Sequence, residues 1–82
     1  MYRILTENKN VEQIKEALTR LGLDYTMFYG NGSWHGMQEN SLAIELDKIS
    51  RRQAEAAARR IKRLNKQDAV LLQKLPVISR LL

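Results

Sequence analysis

The chain has 82 residues, no cysteine and a net charge of +5, with a pI near 9.9. That length suits a single domain over residues 1–82 with a thin core, since a chain of this size buries only about 60% of its unfolded surface. The missing cysteine excludes disulfides and thiol chemistry and fits a reducing cytoplasm, and the positive charge excludes an acidic DNA mimic and points to an anionic partner.

Tyr2 to Leu5 is a short apolar run and predicts the first strand. Asn10 then reads as a helix N-cap, with Gln13 placed to reach back as in a capping box. Val11, Ile14, Ala17, Leu18 and Leu21 follow at helical spacing, so a helix is expected from about 11 to 21. Gly22 supplies the left-handed residue that closes it. Tyr25–Tyr29 and Ser41–Leu46 predict the two arms of a long hairpin. In the first arm both faces are apolar, as expected of a strand near the centre of a sheet. In the second, Leu42, Ile44 and Leu46 alternate with Ser41, Ala43 and Glu45, a one-sided pattern.

Ser50 and Gln53 form an S-x-x-Q capping box that opens a second helix. Ala54, Ala57, Ala58, Ile61 and Leu64 fall on one side of its wheel. Arg51, Arg52, Arg59, Arg60, Lys62, Arg63 and Lys66 occupy the other side, opposed only by Glu55. This segment therefore carries a net +6 and the rest of the chain −1. Ala69–Leu72 predicts the last strand, and Pro76 bars its simple continuation into the apolar tail VISRLL. No apolar run of about 18 residues and no basic-then-apolar leader is present, so neither a membrane span nor a secretory signal is expected.

The order β-α-β-β-α-β predicts an α+β, ferredoxin-like fold: a four-stranded antiparallel sheet with two helices on one face. The open face would favour a homodimer.

The basic helix is the strongest functional signal, because clustered Lys and Arg neutralise phosphates or pair with the carboxylates of an acidic protein surface. The competing explanation is a merely solvated helix face. No pattern of base-reading residues accompanies it, so sequence-specific DNA readout is not supported. The hairpin tip GNGSWHGMQEN sets Trp34 among Gly30, Gly32 and Gly36. Trp34 and Tyr29 would anchor a partner by desolvated contact, or Trp34 would instead fold back on the small core. His35 and Glu39 suggest metal or acid–base work, but a single His without cysteine is too few ligands, and Ser33 nearby belongs to no nucleophile motif. No metal, cofactor or catalytic residue is expected.

The run G-N-G-S-W-H-G-M-Q-E-N-S-L-A-I-E-L, then a helix, then N-K-Q-D-A-V-L-L, resembles small proteins of unassigned role encoded by bacteriophages and mobile elements. The matching positions are Gly32, Trp34, Gly36, Glu39, Ser41, Leu42, Ile44, Glu45, Gln67, Val70, Leu71 and Leu72, and the similarity covers about half of the chain. The resemblance implies an accessory protein that acts on host machinery, including inhibition of a restriction or CRISPR defence. With the basic helix, the expectation is a non-enzymatic cytoplasmic protein that docks on a host protein or nucleoprotein. The alternative is a nucleic-acid-binding protein of low sequence specificity. The basic helix and the tail beyond Pro76 lie outside the resemblance.

Overall fold

Leu42, Ile44 and Leu46 recur at every second residue of one strand, and all three are completely buried. Such alternation commits one face of a sheet to the core. In the computed structural model, which describes residues 1–30 and 40–76, this strand is β3 (Ser41–Leu46). It pairs antiparallel with β1 (Tyr2–Glu7), setting Ile4 beside Ile44, and with β2 (Tyr25–Tyr29), setting Met27 beside Ile44. β4 (Leu71–Lys74) joins the far side of β1, with Leu72 beside Ile4. The strand order is β2-β3-β1-β4. Helices α1 (Val11–Arg20) and α2 (Arg51–Leu64) cover the face that carries these residues, through Ile14, Leu18, Ala57, Ala58 and Ile61. The architecture is α+β and ferredoxin-like, as the element order predicts.

Two of the predicted helix ends are confirmed in atomic detail. At α2, Ser50 Oγ accepts from the Gln53 N–H at 3.1 Å, and Gln53 Oε1 accepts from the Ser50 N–H at 2.8 Å. At α1, Gly22 adopts φ +72°. The Gly22 N–H donates to Thr19 O and the Leu23 N–H to Leu18 O, both at 3.0 Å, which is the Schellman closure.

Asn10 departs from its expected role. It takes the left-handed conformation and makes no side-chain cap. Its amide instead donates to Leu64 O at 3.2 Å and to Asn65 Oδ1 at 3.1 Å, tying the start of α1 to the end of α2. Lys66 departs too. α2 ends at Leu64, with Asn65 as its C-cap, so Lys66 lies just beyond the helix. The N–H groups of Lys66 and Gln67 donate to Arg63 O and Lys62 O, a second Schellman closure with lysine at φ +51° where glycine is favoured. A side chain in that region costs roughly 1–2 kcal/mol. Lys66→Gly is therefore expected to stabilise the fold by about 1 kcal/mol, read as a higher urea midpoint at unchanged slope.

The strands also shift from expectation. β1 runs two residues longer than the apolar segment Tyr2–Leu5, because Thr6 and Glu7 pair with Leu42 and Ser41. β4 begins at Leu71 rather than Ala69, since the ladder starts where Leu71 meets Leu5 of β1. β2 is an edge strand and not a central one. Its two apolar faces are explained by packing of Tyr25 and Met27 on the core and by a row on the opposite face. That row runs Phe28, Ala43, Leu5, Leu71 across all four strands. Leu71, at 52% exposure, is its one strongly exposed large hydrophobe among the described residues. Residues 31–39 and 77–82 lie outside the described residues, so the expectations for the tail, Trp34, His35 and Glu39 fall there. Among the described residues, no helix is long and apolar enough to cross a membrane.

Candidate functional site

The outer face of α2 is built by its inner one. Ala54, Ala57, Ala58 and Ile61 are buried against the sheet, and three of the four are alanines, so the helix can lie close to it. At 100° per residue this anchoring points Arg52, Arg59 and Arg63 directly outward, and Lys66 extends the same line beyond the cap. All seven basic residues of segment 51–66 are exposed.

Among the described residues, Glu55 is the one acid that pairs with these cations. Its Oε1 lies 2.9 Å from Arg51 Nε, and its Oε2 lies 3.8 Å from Arg59 Nη2. Arg52, Arg60, Lys62, Arg63 and Lys66 pair with no carboxylate among the described residues. At the helix C-terminus Arg59, Lys62, Arg63 and Lys66 line one shallow groove, together with Gln67. Lys62 and Arg63 in this last turn also face the negative end of the helix dipole, so part of their charge stabilises the helix itself. The first turn runs the other way. It holds Arg51 and Arg52 and no acidic residue, although a helix N-terminus favours anions. Helix stability alone does not account for cations at that end.

The structure separates residues that the sequence grouped. Arg60 turns from the outer stripe into the cleft between the helices, beside Gln13, Glu16 and Arg20 of α1. Tyr29 is 51% exposed but lies on β2, at the opposite side of the sheet from α2, which packs over β1 and β4. Tyr29 and the basic face therefore form two surfaces.

A polar cluster that the sequence did not signal holds the end of the basic helix. Asn65 is 1% exposed. Its Nδ2 donates to Thr6 Oγ1 and Gln67 Oε1 at 3.2 Å each, while its Oδ1 accepts from Asn10. Thr6 Oγ1 in turn donates to Gln67 Oε1. These bonds join β1, α1 and the end of α2, so the groove formed by Arg63, Lys66 and Gln67 rests on a rigid base. Their partners are mostly more than fifty residues apart in sequence, beyond the range of any local signal.

Among the described residues, no group of three or more His, Asp or Glu is placed to hold a metal ion. In comparisons with known proteins, no family model matches the chain and no curated protein matches it.

Proposed function

We propose that this is a small non-enzymatic accessory protein, of the phage-encoded kind its sequence resembles, that docks on an anionic host macromolecule through the outer face of α2. The partner is a host protein or nucleoprotein in the cytoplasm, and a defence complex such as CRISPR belongs to that class. The observation that carries the reading is the unneutralised charge. Five exposed cations in segment 51–66 lack a carboxylate partner among the described residues, and two arginines stand in the first turn where the helix dipole opposes them. Arginine supplies most of this charge, and its planar fork binds carboxylate and phosphate in bidentate fashion.

The test is an affinity pull-down from bacterial lysate with and without nuclease, repeated with the variant Arg59→Glu/Arg63→Glu. Both positions are exposed, so the fold should persist, while the net charge falls from +5 to +1 because each replacement removes two units. A discrete protein partner that survives nuclease and is lost with the variant supports the proposal. Affinity for that partner should fall at least about tenfold, the equivalent of a single charge-assisted hydrogen bond of about 1.4 kcal/mol. Unchanged binding by the variant, with unchanged circular dichroism, refutes the role of α2.

The same stripe favours a second reading, direct binding of nucleic acid without sequence preference. Four phosphate contacts from Arg52, Arg59, Arg63 and Lys66 would give a slope of log K against log salt near −3.6 on duplex DNA, and neutralising any one of the four side chains would make it shallower by about 0.9. Recovery of nucleic acid alone, abolished by nuclease, selects this reading.

A further inference from the structure

The two edges of the sheet are not alike. β4 is four residues long, carries Lys74 and is followed, one residue on, by Pro76. Shortness, an edge lysine and a nearby proline are the devices by which proteins discourage edge-to-edge pairing. β2 has none of them. Its five residues, YTMFY, are uncharged and rich in strand formers, and they pair with β3 in unbroken register without a bulge.

The direction of its free backbone groups follows from one hydrogen bond. The Gly30 N–H donates to Ser41 O at 2.8 Å in the β2–β3 register, so Thr26 and Phe28 bond to β3 by alternation. The N–H and C=O groups of Tyr25, Met27 and Tyr29 then point outward, and among the described residues no strand pairs with them. A second β2, antiparallel and related by a two-fold axis at Met27, matches this array. Met27 would face its own copy, and Tyr25 would face Tyr29 in both directions, which uses all six outward groups. Tyr29, half exposed in the single chain, would be covered by Tyr25 of the other.

Charge selects the same edge. Segment 51–66 holds a net +6, and its helix lies over β1 and β4, so joining two β4 edges would bring two strongly basic helices together. Joining two β2 edges keeps them apart, about 29 Å between helix axes at a strand spacing of about 4.8 Å. Helix α1 carries both signs, with Lys15 Nζ 3.5 Å from Glu12 Oε1.

We infer that β2 is a self-association edge: a second copy of this chain adds across Tyr25–Tyr29 to form a continuous eight-stranded antiparallel sheet, with two basic helix faces displayed on one side. This does not depend on the identity of the partner proposed for α2.

The test uses the full chain. Sedimentation equilibrium over a concentration series should show a reversible monomer–dimer equilibrium. Because the chain has no cysteine, Met27→Cys introduces a single thiol that would face its own copy. Hydrogen-bonded antiparallel pairs have Cα atoms about 5.5 Å apart, within the span of a short thiol–thiol cross-linker. Met27→Cys should therefore give a covalent dimer with a short bismaleimide, and Leu71→Cys, on the opposite face and the far half of the sheet, should not. Thr26→Lys, at an exposed position of the same strand, should raise the dimer dissociation constant at least about tenfold without altering circular dichroism. A chain that stays monomeric at every concentration overturns the inference. So does a dimer that cross-links through Leu71→Cys and not Met27→Cys, or one unaffected by Thr26→Lys.

Discussion

Ile44→Ala is expected to remove about 2–5 kcal/mol of stability. Ile44 is completely buried in β3, between Ile4 of β1 and Met27 of β2, and belongs to the cluster that includes Ile14, Leu18 and Ile61 of the two helices. Truncation there loses the transfer energy of three carbon atoms and leaves a cavity that no single neighbour can fill, because the walls come from several elements. A domain of 60–100 residues moves about 4–8 °C in melting temperature per kcal/mol, so a loss in the middle of that range corresponds to a fall of roughly 15–25 °C. Against a total stability of order 5–15 kcal/mol, low in that range for so small a core, the variant would be partly unfolded at physiological temperature. Thermal and urea unfolding followed by circular dichroism measure this directly. A loss below about 1 kcal/mol would mean that the site collapses around the alanine, and the central place given to β3 would be wrong.

Asn65→Ala should cost about 2–4 kcal/mol, more than a typical surface substitution, for a different reason. The asparagine side chain fills no large volume. It satisfies Thr6, Gln67 and Asn10 at once, and Thr6 is itself buried. Removing the asparagine side chain deletes three hydrogen bonds at once, each worth about 0.5–1.5 kcal/mol net, while Thr6 keeps its bond to Gln67 and Asn10 its bond to Leu64 O. The expected signature has two parts: a lower urea midpoint, and faster amide exchange at the C-terminal turn of α2, which would lose its side-chain ties to Thr6, Gln67 and Asn10. If Asn65→Ala matched the small effect of an exposed substitution, the cluster would be decoration on a helix end held by packing alone.

The basic face depends on both features. Ile44 and its neighbours fix the depth at which α2 lies, and the Asn65 cluster fixes where it ends and how Lys66 and Gln67 leave it. A weak Asn65 variant with reduced partner binding would therefore show that the groove needs its rigid base, whereas loss of binding in Arg59→Glu/Arg63→Glu at full stability isolates the charge.

What the sequence determined by itself was set by short-range physics. The hairpin arms Tyr25–Tyr29 and Ser41–Leu46 match the structure residue for residue, because alternation along a strand shows at a spacing of two. The Ser50–Gln53 capping box and the Gly22 closure involve groups three to five residues apart, and the buried and basic sides of α2 follow from helical spacing alone. Tertiary structure decided the rest. Strand order placed β2 at an edge, since two apolar faces describe what a strand touches above and below and not what flanks it. It also parted Tyr29 from the arginines by the width of the sheet. Asn10 and Asn65 acquired their roles from partners across the fold, and Lys66 its left-handed strain from a closure that overrides residue preference. These outcomes depend on interactions between residues distant in sequence, which the burial of the shared core selects and no local pattern encodes.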